Sequence, residues 1–226
     1  MYHAIGEPGE RASRFVVPIA AFARQMRALA ALPLDVVALD EALATLHGGH
    51  ALRRRSVALT FDDGTRDLAL LGRPVLERHG FPATAFVVTG AMGSTVDWTD
   101  HADLARRRIM TWEEALDLQP RVAIQPHTRT HPSLRELGDA ALTDEIAGSR
   151  DDVEMRTGAR PTTFAYPYGH YDQRVAAAAA AAGFTAACTV KPGLNDGTTP
   201  AHELRRHEVR GDLSFRGFLS LLLGRA

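Results

Sequence analysis

Two adjacent aspartates and a pair of histidines are the residues of this chain best suited to catalysis. Asp62 and Asp63 follow a short apolar run, and His127 and His131 are four residues apart. That spacing predicts two imidazoles on one face of a helical turn. One Asp with two His is the ligand set of a mononuclear Zn²⁺, Fe²⁺ or Co²⁺ site with open positions. The second aspartate could then deprotonate metal-bound water, so the pattern indicates a hydrolase of amides or esters.

Each motif has a simpler interpretation when it is taken alone. An Asp-Asp-Gly sequence is commonly a turn with an aspartate N-cap for the next helix. Two histidines four apart are often a coincidence in a chain with 10 histidines. The YPYG segment at residues 166–169 is by itself a simple turn. The three segments become specific only together, because each follows a predicted strand, where β/α folds place their active sites.

The composition excludes several classes of protein for this chain. The 226 residues include 26 Lys+Arg and 27 Asp+Glu, for a net charge of -1, with 45% hydrophobic residues and one cysteine. This composition excludes a wholly disordered chain. The near-zero net charge gives no indication of binding to nucleic acid or to an anionic membrane. Cys188 alone cannot form an internal disulfide or a thiolate zinc site. No apolar run reaches the ~18 residues of a membrane span, and no signal-peptide pattern opens the sequence, so we expect a cytoplasmic protein.

Short β-branched runs alternate with helical patterns along the chain. Strands are predicted at 34–38, 57–61, 83–88, 121–125, 163–166 and 184–188. Helices are predicted at 18–32, at 68–79 ending at Gly80, from Thr111, at 139–156 and at 171–182. About seven such units favour a (β/α) barrel of parallel strands with outer helices over a flavodoxin-like open sheet. No linker divides residues 1–226, so we expect a single domain.

The three motifs resemble the central motifs of the polysaccharide deacetylases, which are carbohydrate esterase family four with the NodB-homology domain. The matching segments are TFDDG at 60–64, HTRTH at 127–131 and YPYG at 166–169. The opening MYH, the FARQM helix at 22–26 and the closing LRRHEV at 204–209 also resemble family members associated with exopolysaccharide synthesis. The resemblance therefore covers nearly the whole chain.

The resemblance implies a role for each matching residue. Asp62 matches the catalytic base, and Asp63, His127 and His131 match the ligands of one divalent ion, Zn²⁺ with Co²⁺ or Ni²⁺ as alternatives. Tyr168 would offer its backbone N–H to the oxyanion, and Pro167 would contact substrate beside it. The implied fold is a distorted (β/α)₇ barrel. The implied partner is a carbohydrate: N-acetylated chitin-like, peptidoglycan or exopolysaccharide glucosamine, or O-acetylated xylan.

Two departures from the family pattern concern the base and the general acid. Ala165 stands where the family usually has the arginine that holds the base. The segment from Leu204 to His207 has one residue too many to match the family motif that supplies the histidine acid. The acid is therefore open among His3, His170 and His207.

Strand alternation over residues 204–209 predicts a replacement for the missing arginine. Leu204, Arg206 and Glu208 share one face of a strand, and Arg205, His207 and Val209 share the other. Val209 suits the helix-facing side, so Arg206 should point inward and pair with Asp62. By the same alternation His207 points away from the site, which leaves His3 as the preferred acid.

Two other functions remain open from the sequence. The same residues could serve a deacylase or amidase acting on a small or lipid-linked substrate, or the chain could be a catalytically silent relative that binds carbohydrate. The complete set of base and ligands argues against the silent relative. Trp98 and Trp112 are the tryptophans available to stack on a sugar.

Overall fold

The computed structural model describes residues 1–48, 55–119 and 121–222. Strands and helices alternate along most of this length. The strands are short and are β1 (Ala4–Gly6), β2 (Val16–Pro18), β3 (Asp35–Val36), β4 (Ser56–Val57), β5 (Thr60–Phe61), β6 (Ala83–Val87), β7 (Val122–Pro126), β8 (Thr163–Ala165) and β9 (Ala186–Cys188).

Helices flank the strands. They are α1 (Ile19–Ala31), α2 (Leu39–Gly48), α3 (Arg73–His79), α4 (Trp112–Leu118), α5 (Asp139–Thr143), α6 (Ser149–Thr157), α7 (Gln173–Ala181) and α8 (Phe215–Leu222). Of these, α2 and α8 are two that the sequence pattern did not predict. A π-helical segment, Leu68–Gly72, precedes α3, and a second one, Asp144–Gly148, joins α5 to α6. None of the helices in the described ranges is both long and apolar enough to cross a bilayer.

All strand pairs are parallel, and they form four separate sheets within the described residues. The pairs are β1–β2 and β3–β4, the three-stranded β5–β6–β7, and β8–β9. A closed barrel is not formed by these ladders. The fold is α/β with parallel strands and flanking helices.

Single contacts connect the edges of three of these sheets. Tyr2 bridges Phe61, and its N–H donates to the carbonyl of Thr60 at 2.8 Å. The β7–β8 edge is joined by a side chain, because Oε1 of Gln125 accepts from the backbone N–H groups of Thr162 and Thr163 at 3.0 and 2.9 Å. On the far side of β9, Leu204 bridges Cys188. The N–H of Val209 then donates to the carbonyl of residue 1 at 2.8 Å.

Several predicted elements differ in detail from the observed ones. The predicted strand 57–61 is split into β4 and β5, and the strand at 184–188 begins only at Ala186. The helix predicted at 68–79 opens with a π segment and ends at Gly80, whose φ of 68° is left-handed as expected for a helix C-cap. Residues 204–209 form no regular strand, because within this segment Leu204 alone forms a β-bridge.

The largest core cluster lies between β5–β7 and helices α1, α3, α4 and α8. Tyr2, Phe22 and Phe61 are fully buried there, with Tyr2 edge-on to Phe22 at 5.4 Å and stacked on Phe61 at 5.3 Å. This cluster anchors the segment before Asp62 from both sides. The carboxyl end of β5, which Asp62 and Asp63 follow directly, is thereby fixed.

Candidate active site

The three sequence motifs meet at the carboxyl ends of the parallel strands. Asp63 follows β5 and His127 follows β7. Because β5, β6 and β7 are parallel neighbours, both ends lie at one edge of the sheet. One Asp63 carboxylate oxygen lies 3.3 Å from His131 Nε2 and 3.7 Å from His127 Nε2. The structure therefore brings the three predicted metal ligands together.

The donor set fits a divalent metal ion. Asp63, His127 and His131 are buried and offer one ligand atom each, all within 4.8 Å of one another. His127 Nδ1–H donates to the Ala165 carbonyl at 2.7 Å, which fixes the tautomer and leaves Nε2 as the free lone pair facing Asp63. Burial lowers the pKa of His127 to about 4, so this imidazole is neutral, as a ligand must be. The buried Nδ1 of His131 has no hydrogen-bond partner in the described chain.

The backbone at the site is strained. Asp63, Thr128, His131 and Tyr168 have φ of 71°, 69°, 62° and 58°, and Arg106 is the one other non-glycine residue with positive φ in the described ranges. Each such conformation costs on the order of 1–3 kcal/mol and clusters at functional sites. The prediction that His127 and His131 share a face of a helical turn was therefore wrong. They approach each other through an irregular turn with two left-handed residues.

Asp62 is held by the arginine that strand alternation predicts. Arg206 donates from Nη1 and Nη2 to the two carboxylate oxygens of Asp62, both at 2.7 Å, and from Nε to the Thr189 carbonyl at 2.9 Å. Both side chains are buried. Burial opposes ionisation of Asp62, but the charge and hydrogen bonds of Arg206 outweigh it and hold the pKa of Asp62 below its usual range. The contact predicted in place of the missing arginine at Ala165 is present.

The predicted alternation of inward and outward side chains fails at Glu208, two residues beyond Arg206. Glu208 was predicted to point inward, and this prediction was wrong, because its carboxylate pairs instead with the half-exposed Arg14 at 3.1 Å. The segment makes isolated contacts rather than a ladder, so nothing enforces a strict twofold alternation. That His207 points away from Asp62 stays a prediction. His207 lines an apolar cavity that also includes Leu39 and Leu43.

The remaining histidine candidates, His3 and His170, differ in their contacts. His3 packs edge-on against Phe15 with ring centroids 5.0 Å apart, and its field contributes to lowering the pKa of both Asp62 and Asp63. His170 is exposed, and its Nδ1 lies 3.2 Å from Ser133 Oγ. Of these two histidines, His3 is the one whose field acts on the aspartates. Its role as the acid stays a prediction.

Aromatic side chains border the metal ligands. Trp98 stacks on His131 with centroids 4.8 Å apart, and the Tyr168 ring meets His131 edge-on at 4.5 Å. The Tyr168 hydroxyl donates to the Trp98 carbonyl at 3.0 Å, which ties the two rings together. Pro167 beside it is buried. Trp112 is not part of this border, since it begins α4 and lies under Arg156.

Sequence reasoning missed the acidic residues that support the histidine turn. Glu145, Asp144 and Asp152 all hydrogen-bond to residues 129–130 of that turn. Nothing in the local pattern signals this, because the carboxylates lie on a predicted amphipathic helix where acidic residues are ordinary. Only the fold brings that helix against the turn.

Comparison with known proteins identifies relatives of the whole chain and of its central part. A family model described as polysaccharide deacetylase matches residues 49–187. A Bacillus subtilis protein named as a polysaccharide deacetylase, YxkH, is 25% identical over 219 residues, which are 96% of this chain and 73% of that protein. A chitooligosaccharide deacetylase of Bradyrhizobium is 34% identical over 134 residues, 58% of this chain. The chain spans about half of that relative, 54%.

Solved structures share the fold. The Streptococcus pyogenes deacetylase PplD, solved in complex with acetate, superposes with a TM-score of 0.84 over 98% of this chain and 96% of its own, at 23% sequence identity. At that identity the likeness concerns the fold alone. The family model covers more than half of the chain and includes both the Asp62–Asp63 and the His127–His131 segments. The chain belongs to the polysaccharide deacetylase family.

Proposed function

We propose that the chain is a metal-dependent deacetylase that hydrolyses acetyl groups on a carbohydrate. The observation that carries this proposal is the buried set of Asp63, His127 and His131 directly beside an ionised Asp62. Family membership supports the same reaction class. The relatives are named for chitooligosaccharide and peptidoglycan substrates, and we infer an N-acetylated sugar polymer or oligomer as the substrate here.

Asp63, His127 and His131 would hold the ion, Zn²⁺ with Co²⁺ or Ni²⁺ as alternatives. When bound, such an ion supplies a Lewis acid that lowers the pKa of water and polarises the acetyl carbonyl. Asp62 takes the proton from the water whose oxygen attacks the carbonyl carbon. Arg206 keeps Asp62 ionised and oriented for that transfer.

The reaction also needs a hydrogen-bond donor for the oxyanion that forms on attack, and an acid that protonates the leaving amine. The Tyr168 backbone N–H is our proposed hydrogen-bond donor to the oxyanion, because Tyr168 has a left-handed φ and its ring contacts His131 edge-on. The carbon–nitrogen bond then breaks, the acetyl group leaves as acetate, and the amine nitrogen takes a proton from an acid. His3 is our proposed acid.

We infer that the short sheets close into a distorted (β/α)₇ barrel. The supporting contacts run from residues 1–3 to β5, β6, β7, β8, β9 and residues 204–209, and back to residue 1. The β7–β8 contact depends on Gln125 rather than on a backbone ladder. That ring would direct the carboxyl ends of its strands to one mouth.

Acetate release distinguishes the proposed function from its alternatives. Protein loaded with Co²⁺ or Zn²⁺ is incubated with N-acetylglucosamine oligomers, with acetylated xylan and with a small N-acetyl amide, and the Asp62→Asn variant serves as a matched inactive control. We expect acetate from a carbohydrate. Hydrolysis confined to the small amide would favour the amidase, and binding of the oligomer without turnover would identify a silent relative.

A further inference from the structure

A buried carboxylate holds the backbone of the histidine turn without touching either histidine. Glu145 lies 15 residues beyond Thr130 in the π segment that joins α5 to α6, and it is 8% exposed. Its Oε2 accepts from the backbone N–H groups of Arg129 and Thr130 at 2.8 and 2.9 Å. Its Oε1 accepts from the Thr130 hydroxyl. One side chain thus fixes two consecutive peptide groups of the turn.

Those peptide groups lie between the two strained residues. Thr128 and His131 have left-handed φ of 69° and 62°, a conformation that persists only where surrounding contacts impose it. Within the turn, Thr128 Oγ1 accepts from the His131 N–H at 2.9 Å. The two N–H groups between these residues point outward and are taken by Glu145. The Glu145 contact thus holds the backbone between His127 and His131.

The opposite side of the turn is held by the short 3₁₀ turn Thr89–Ala91, which follows β6. The N–H groups of Thr89 and Gly90 donate to the carbonyls of Thr128 and Arg129 at 3.0 and 2.9 Å. A Cβ at Gly90 would lie only 2.7 Å from the Arg129 oxygen, so this approach needs glycine. The carbonyl side of the turn is thus set by backbone, and its N–H side is set by Glu145.

The π segment is packed closely onto Arg129. The Arg129 guanidinium donates to Asp152 from Nε and Nη2 at 2.9 Å and to Asp144 at 2.6 Å. A Cβ at Gly148 would lie 2.5 Å from the guanidinium carbon. The positive charge of Arg129 lies beside all three acidic groups, which makes the buried carboxylate of Glu145 tolerable. π-Helical turns inside α-helices are frequent at functional sites.

We propose that Glu145 is a positioning residue of the metal centre. It presets the turn so that the imidazoles of His127 and His131 converge on Asp63 before any ion binds. This inference rests on the proposed metal-dependent function, and it extends that function to a residue far from the three motifs. Outer-shell groups of this kind typically contribute about tenfold to a hundredfold in metal affinity.

Metal affinity tests the proposal directly. Metal-free protein is titrated with Co²⁺ and followed by its visible absorption bands, and circular dichroism checks the fold of each variant. We expect Glu145→Ala to bind Co²⁺ about tenfold to a hundredfold more weakly. Glu145→Gln keeps an oxygen for the two N–H groups and should lose about threefold or less. The matched control is Asp151→Ala, which removes an exposed carboxylate of α6 that pairs only with Arg150 among the described residues.

The outcomes separate this inference from the proposed function. If Glu145→Ala does not fold, Glu145→Asp decides, because its carboxylate is one methylene too short to reach both N–H groups and should also weaken Co²⁺ binding about tenfold. Wild-type affinity and an unchanged Co²⁺ spectrum in the folded Ala or Asp variant would overturn the proposal. Weakened Co²⁺ binding together with no acetate release by the wild type would support the positioning role while contradicting the deacetylase.

Discussion

Asp62 and Asp63 are neighbours in sequence, but their surroundings give them different chemistry. Asp62 is paired through both oxygens with Arg206, whereas Asp63 faces two imidazoles. The left-handed φ of 71° at Asp63 breaks strand alternation and turns the second carboxylate toward His127 and His131. Burial opposes ionisation of Asp63, but hydrogen bonding and the field of His131 keep its pKa well below the usual range.

Substitution of the two aspartates should therefore affect turnover and metal binding differently. Asp62→Asn is expected to retain one divalent ion per chain and to lose turnover by about a hundredfold or more, because it removes the base. Asp63→Asn should lose metal first, because it removes one of three protein ligands. Metal analysis of both purified variants beside acetate release checks this. Metal loss in Asp62→Asn with retention in Asp63→Asn would mean that the roles are exchanged.

Arg206 supplies a charge that no residue in the third motif supplies. Arg206→Ala should keep the metal, lower turnover about tenfold to a hundredfold, and lower the free energy of unfolding by about 3 kcal/mol, since it leaves Asp62 buried without its partner. Arg206→Lys should restore part of the stability but not the two-pronged contact. His207→Ala is the matched neighbour and should be nearly silent in turnover. Equal losses at positions 206 and 207 would contradict the assignment.

The buried cysteine gives a prediction about pH and accessibility. Burial raises the pKa of the Cys188 thiol to about 11, so the thiol stays protonated and covered at neutral and mildly alkaline pH. Alkylation of the folded protein at pH 8 should be at least about a hundredfold slower than that of the denatured protein. Comparable rates in the two states, measured by mass spectrometry, would mean that β9 opens readily.

At the scale of elements, local signals were reliable where a short pattern determines the structure. The helix predicted from Thr111 begins there, with a capping box in which Thr111 and Glu114 make both hydrogen bonds, and Gly80 ends α3 in the left-handed conformation. The π segments were not predictable, because one extra residue in a turn leaves no mark on the apolar periodicity. The turn at 127–131 was wrongly predicted to be helical from the spacing of its histidines. Its two central N–H groups donate to Glu145, which lies outside any local pattern.

The capping box gives a stability prediction for α4. Thr111→Ala removes the hydroxyl that accepts from the Glu114 N–H at 3.2 Å, and it should lower the free energy of unfolding by about 1 kcal/mol. Thr111→Ser keeps the oxygen and should lose only a few tenths of that. Denaturant unfolding of the three proteins provides the measurement. A Thr111→Ala protein as stable as the wild type would mean that the cap contributes nothing here.

At the scale of the whole molecule, the α/β class and the meeting of the three motifs followed from the sequence, since parallel strands place their carboxyl ends on one edge. The Arg206–Asp62 pair was also predictable from the sequence, although residues 204–209 form no regular strand. The pair requires only that the Arg206 side chain point inward. The contacts between sheets did not follow. They depend on single side chains such as Gln125, whose packing a strand pattern does not encode.

Metal dependence of acetate release is the most direct test of the central claim. Protein freed of metal by exhaustive chelation is titrated with Zn²⁺ or Co²⁺ while acetate release from N-acetylglucosamine oligomers is measured. We predict no turnover without metal and recovery that saturates at one equivalent per chain, with no recovery in His131→Ala at the same metal concentrations. Activity that is indifferent to complete removal of metal would contradict the account.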